Sequence, residues 1–360
     1  MNMIEPSRIR RAWQGRISGC QLGKPIEALS MMQGFDSLQS YLEQAKALPL
    51  RDYVPHIEGT LVDIARKSCR EYLCRSEPDD DITYSVLALM MLEEHGRGLD
   101  TAHVARTWLR YLPAGATFTA ERAAYNILAQ EAETGFLFGA PPNFDLELCS
   151  DNEYNDWIGA QIRADVYGWV CPGEPALAAD LASRDARLSH RDEGVFGAAF
   201  IAALGAAIPA SDGFAEAVAE ARKQIPEGSA CLAAVDLAVS LHGTKDGMAR
   251  IRERYADLSP VHTVNNLAVV VLGLLEGEDD FSQAIGDTVS AGWDTDCNGA
   301  TVGGLWGLGP GEIPALWTKP WQDRVAVTIA GVGELALEDL VRRTCAVGQK
   351  IAGDTGAATS

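Results

Sequence analysis

Three glycines, Gly15, Gly19 and Gly23, recur at every fourth residue between Ser7 and Glu27, and they limit how this chain packs more than any other feature of it. The segment reads as a helix with Ile9, Trp13, Ile17 and Cys20 on its other side. Each glycine weakens a helix by roughly 1 kcal/mol relative to alanine, so three on one face predict a surface that a second backbone or a ligand approaches very closely. The segment closes in Leu22-Gly23-Lys24-Pro25-Ile26-Glu27. Pro25 predicts a helix stop there and a turn that presents Glu27. Spacing alone makes Glu27 an exposed turn acid first and a catalytic candidate second.

Helical spacing of apolar residues recurs through the rest of the chain, at 61–74, 83–95, 100–112, 119–133, 175–187, 194–207, 214–224, 230–241, 245–255, 263–275, 281–290 and 335–350. Period-two alternation is scarce and no repeat suggests a solenoid. These observations predict an all-α chain, one compact multi-helix domain over residues 1–351, with a disordered tail at 352–360. Residues 135–155 are rich in Gly, Pro, Asn and Asp and predict a long loop of the kind that carries function.

With 47% hydrophobic and 22% charged residues among 360, the chain has an ordinary globular composition. A formal net charge of −20 argues against binding to nucleic acid, which rests on clustered Lys and Arg. No apolar run approaches the roughly 20 residues of a membrane span, and Met1 to Arg11 is polar and basic rather than a targeting segment, so a cytoplasmic location and no membrane partner are expected. Eight scattered cysteines without a close C-x-x-C pair read as reduced packing residues. Nothing in the sequence specifies an oligomeric state.

Two acidic clusters carry the chemistry. Asp79-Asp80-Asp81 directly precedes the apolar stretch Val86 to Leu92, at a predicted helix N-terminus. One aspartate there is accounted for as an N-cap, whereas three in a row repel one another unless a cation sits among them. A hard ion with oxygen ligands meets that need. Asp294-Thr295-Asp296 alternates its carboxylates and then runs into the small residues of Val302-Gly303-Gly304-Leu305-Trp306, which suit a tightly packed helix. Between the clusters, Gly159 to Asp165 sets Arg163 among small residues, and His190 stands just before a helix start, where cap and substrate contact are equally good readings.

These motifs resemble the ADP-ribosylglycohydrolase family along most of the chain. Gly15 to Glu27 resembles its opening glycine-rich helix and Asp79-Asp80-Asp81 its Thr-Asp-Asp-Thr motif. Gly159 to Arg163 is similar to its Gly-x-x-Met-Arg segment, Ser189-His190 to its Thr-His pair, and Gly292 to Cys297 to its Gly-Gly-Asp-x-Asp-Thr motif. The resemblance implies that Asp80, Asp81, Asp294 and Asp296, with Asp79 in the place of a threonine, hold one or two Mg²⁺ or Mn²⁺ ions, and that Glu27 lies beside a ribose. It further implies hydrolysis at C1 of an ADP-ribosyl or ribose-like substrate, with Glu27, Asp81 and Asp296 as catalytic candidates and Arg163, His190, Asn265, Asn266 and Asn298 as candidate substrate contacts. Cys20, Ile82, Ile158 and Cys297 depart from the family pattern, standing for an aspartate, a threonine, an asparagine and a threonine. Sulfur is a poor ligand for a hard ion, so Cys297 predicts that Asn298, Thr301 or water replaces it, or that one site is poorly filled. The departures also open two other readings: a hydrolase of a small free N- or O-glycoside, and a non-catalytic binding or structural relative.

Overall fold

Gly15, Gly19 and Gly23 lie against a second helix whose glycines repeat with the same spacing. The opening helix, Pro6–Gln44, meets the helix Thr295–Gly307 in the most extensive helix–helix contact of the molecule. A Cβ added at Gly15 would sit 1.9 Å from the carbonyl oxygen of Gly303, one at Gly19 1.9 Å from that of Gly299, and one at Gly23 2.3 Å from that of Thr295. The relation is mutual: a Cβ at Gly303 would meet the Gly15 oxygen at 2.1 Å, and one at Gly307 the Arg11 oxygen at 2.3 Å. Numbers rise on one helix as they fall on the other, so the two run antiparallel with backbone touching backbone at each turn.

The computed structural model describes residues 5–353. It is all-α apart from one short antiparallel ribbon, Arg324–Ala326 with Glu334–Ala336. That ribbon anchors the approach to the first acidic cluster, because Ser76 donates its N–H to the Arg324 carbonyl at 2.8 Å and accepts from Ala326 at 3.0 Å. The helices Asp192–Ala207 and Thr263–Glu276 are buried almost throughout and apolar on every side, as central helices are.

Four expectations are corrected here. Pro25 does not stop the opening helix, which continues to Gln44 with a break at Gly34, φ 81°. Losing the bond to the Gln21 carbonyl destabilises a helix by about 3 kcal/mol, but the glycine contact clamps the helix before Pro25 and buried Ile26, Leu29, Leu38 and Leu42 hold it afterwards. Glu27 accordingly sits half-buried on a helix instead of in a turn. The stretch 61–74 holds only a 3₁₀ segment, Leu61–Ser68. An apolar stretch long enough to cross a membrane does exist, Asp192–Ala210, and most of it lies buried inside the protein. The last helix, Leu337–Gly353, takes in residues 352 and 353 of the expected tail, while 354–360 lie outside the described residues. All eight cysteines are unpaired, and all but Cys74 are buried.

Candidate functional site

The first acidic cluster divides its work. Asp79 is the N-cap of the helix Asp80–His95: one carboxylate oxygen accepts the Asp81 N–H at 2.9 Å and the other accepts from Lys24 Nζ at 2.5 Å. Asp80 and Asp81 occupy the first turn, where free N–H groups favour negative charge. Asp81 is fully buried; its Oδ1 accepts from Arg16 at 3.2 Å and its Oδ2 has no hydrogen-bond partner. Arg16, itself fully buried, also donates to Asp165 at 2.8 Å, to Ser85 at 2.8 Å, and to the carbonyls of Asp81 and Ile162.

The second cluster reaches the same place through the glycine contact. Gly292, φ 86°, and Trp293, φ 58°, turn the chain sharply into the helix Thr295–Gly307. A tryptophan in the left-handed region costs on the order of 1–3 kcal/mol, so surrounding structure has to hold this turn. Thr295 supplies part of that hold by donating to the Gly23 carbonyl at 2.9 Å. Asp294 and Asp296 are buried, and each has an Oδ1 without a partner. The buried side-chain oxygens of Asn298 and Thr301 are likewise unpartnered.

Three groups of possible ligand atoms result, the atoms of each lying within 4.8 Å of one another: Cys20, Asp79 and Asp81; Asp81, Asp296 and Cys297; and Glu27, Asp294 and Asp296. Burial first, then neighbouring acids, pushes the carboxyls of Asp80, Asp81 and Asp294 well above the usual range. Burial and then Asp296 do the same to Glu27, and burial and then Asp79 bring Asp296 up to about 6. Asp79 goes the other way: burial raises it, but the Lys24 ammonium and the hydrogen bonds from Lys24 and Asp81 together bring it below the usual range. Concentrated, partnerless carboxylate oxygens of this kind fit a hard divalent cation such as Mg²⁺ or Mn²⁺. The thiols of Cys20 and Cys297, raised well above their ordinary value by burial and then by the acids, fit it poorly.

Above these acids opens a cavity of about 720 Å³ whose walls include Lys24, Glu27, Asp80, Phe118, Trp157 and Asp294. The expected substrate contacts stand behind that wall. Arg163 is buried among Glu121 at 2.6 Å, Asp185 at 3.0 Å and Ser189 at 3.0 Å, and of these partners Glu121 lines the cavity. His190 is buried with Nδ1 2.8 Å from the Ser189 hydroxyl, and burial followed by Arg163 lowers it well below the usual imidazole range, so the ring is neutral. Asn265 donates to the Ser259 carbonyl at 3.2 Å. Asn266 donates to the carbonyls of Pro260 and His262, both at 2.8 Å, and accepts from Asn298 at 2.7 Å. It thereby joins the loop that forms one cavity wall to the second acidic cluster. Asn266→Ala is expected to lower stability by about 1–3 kcal/mol, because the amide of Asn298 and two carbonyls lose a buried partner; a urea unfolding midpoint measures this.

Sequence reading overlooked Lys24, Arg16 and Glu121. Lys24 was detectable as the one charged residue in Leu22 to Ile26. Glu121 looks like any acid in a helix first turn, and Arg16 like a solvated residue of a polar helix face, until three-dimensional packing encloses both.

A family model described as ADP-ribosylglycohydrolase matches residues 1–350. Comparison with curated proteins returns no match. Among solved structures, one named "ADP-ribosylglycohydrolase-related protein complex" is similar over 96% of this chain and 99% of its own, with a TM-score of 0.51 and 20% identity. At that identity the likeness speaks for the fold alone.

Proposed function

The chain belongs to the ADP-ribosylglycohydrolase family, and from that premise we propose that it is a metal-dependent hydrolase cleaving a glycosidic bond at C1 of an ADP-ribosyl or ribose-like substrate. One observation carries this reading: Asp81, Asp294 and Asp296, from two distant segments, leave buried carboxylate oxygens without hydrogen-bond partners, and Asp294 itself and Asp80, next to Asp81, line the cavity. Evolution rarely leaves such oxygens bare, since each unmet buried acceptor is destabilising by about 1–3 kcal/mol or more when charged. Asp80, Asp81, Asp294 and Asp296 would hold one or two ions of Mg²⁺ or Mn²⁺, with Asp79 capping the helix that presents them. When bound, such an ion supplies positive charge that orients vicinal hydroxyls and a water.

The chain's own side chains do the rest. Glu27 faces the cavity from the opening helix, where a carboxyl can move a proton to or from the reacting groups. Its carboxylate form also suits it to stabilise positive charge growing at C1. Phe118 and Trp157 offer apolar faces for the sugar or its leaving group. Glu121, held by Arg163, offers an acceptor at the wall. Asn266 and Asn298 keep Asp294 and the Ser259–Val261 loop in register.

The test is removal of metal. Protein stripped with chelator is expected to lose turnover and to regain it with Mg²⁺ or Mn²⁺, measured on ADP-ribosyl peptide, free ADP-ribose derivatives and simple ribosides. Turnover that survives chelation overturns the metal role, and turnover confined to simple ribosides transfers the assignment to a small free N- or O-glycoside. A folded protein that binds ADP-ribose in a calorimeter yet turns over none of these is a non-catalytic relative.

A further inference from the structure

The two acidic clusters are not neutralised alike. Around Asp79 to Asp81 the chain provides its own cations: Lys24 Nζ lies 2.5 Å from Asp79 and Arg16 3.2 Å from Asp81. Both Asp79 oxygens already accept a hydrogen bond, one from Lys24 and one from the Asp81 N–H, and the ammonium occupies the space beside the carboxylate that a cation would take. The group that includes Asp79 is completed by Cys20 and the group that includes Asp81 and Asp296 by Cys297, each contributing a sulfur. The remaining group, Glu27, Asp294 and Asp296, is all oxygen. Its two aspartates are 3% and 2% exposed, each with an unpartnered oxygen, and no Lys or Arg hydrogen-bonds to any of the three among the described residues.

Resting on the hydrolase reading above, we propose that the chain binds a single divalent cation, at Glu27, Asp294 and Asp296, and that the Lys24 ammonium takes the place of a second ion beside Asp79. Lys24 and Asp79 act as a matched pair. An ammonium on a flexible stem delivers one positive charge and three donors to a site that hard ligands alone do not complete. Through Asp79 it also fixes the start of the helix that presents Asp80 and Asp81. The divalent ion then sits on the side where Glu27 reaches the cavity.

Calorimetric titration of the metal-free protein with Mn²⁺ decides the matter. The unaltered protein is expected to bind one ion per chain. Lys24→Met, which keeps the apolar stem and frees an Asp79 oxygen, is expected to bind two, and Lys24→Arg to remain at one. Two ions on the unaltered protein, or one ion on a folded Lys24→Met variant, overturns the proposal while leaving the hydrolase reading in place. If Lys24→Met does not fold, Asp79→Asn is the alternative variant: the proposal expects it to keep one Mn²⁺ site of unaltered affinity, and a weakening of that site by tenfold or more overturns it. Absence of Mn²⁺ binding by the unaltered protein overturns the parent reading as well.

Discussion

Gly19→Val is expected to abolish the native fold. A Cβ at Gly19 would lie 1.9 Å from the Gly299 carbonyl oxygen and 2.4 Å from its carbon, and both are backbone atoms that no rotamer change can move. Accommodating valine requires the two helices to separate. Separation at Gly19 opens the contacts at Gly15 and Gly23 as well, because the same pair of rigid helices makes all three. Overpacking in a core costs about 1–3 kcal/mol when side chains can shift. With backbone on both sides the expected loss exceeds about 5 kcal/mol, the exceptional end of single substitutions. Soluble yield and a denaturant midpoint measure it; a Gly19→Val protein melting within a few degrees of the parent would disprove the backbone contact. Gly98, in contrast, has open space around its Cβ position, and alanine there is expected to be nearly neutral.

That contact explains how much of the molecule could be read from the sequence. The spacing of Gly15, Gly19 and Gly23 announced a close partner, and the small residues after Asp296 announced a tightly packed helix, yet nothing local matched one to the other. The match is a tertiary register, set by which apolar faces remain to be buried once both helices exist. Pro25 was misread for the same reason: its local signal to stop is real, but packing on both sides of it outweighs a penalty of about 3 kcal/mol. The aspartates were legible because like charges crowded in sequence demand a compensating charge in space. What compensates Asp79 was not legible, since Lys24 follows a glycine face and precedes a proline, a place where a lysine normally points to water. Arg163 stood out among small residues and His190 before a helix start, while Asn265, Asn266 and Asn298 came in only through the family resemblance. Sequence could not separate those that reach the cavity from those that brace it, because both kinds are buried and differ only in which neighbour they face.

Asp296→Asn is expected to remove activity and, at the same time, to stabilise the metal-free protein. Asp296 belongs to two of the three possible ligand groups, as Asp81 does, and it is the one of that pair in the all-oxygen group, so its loss disrupts cation binding strongly. Losing several kcal/mol of charge stabilisation in the transition state corresponds to a fall in turnover of about 10³-fold or more, at 1.36 kcal/mol per decade. The stability effect has the opposite sign. Burial and then Asp79 push the Asp296 carboxyl up to about 6, above its value in the unfolded chain. An acid raised in this way weighs against the fold wherever it is ionised, fully above about pH 6 and not at all below the ordinary carboxylate range. Asparagine keeps the shape and removes the charge, so the metal-free variant gains on the order of 2–3 kcal/mol at neutral pH. With saturating Mn²⁺ the order reverses, because only the parent gains the stabilisation that binding to the native state confers. Thermal melts of both proteins with chelator and with Mn²⁺, alongside turnover, give four melting temperatures and two rates. Undiminished turnover by Asp296→Asn would sink the metal role of this residue. An asparagine variant less stable than the parent in chelator would mean that Asp296 serves the fold rather than burdening it for the sake of the site.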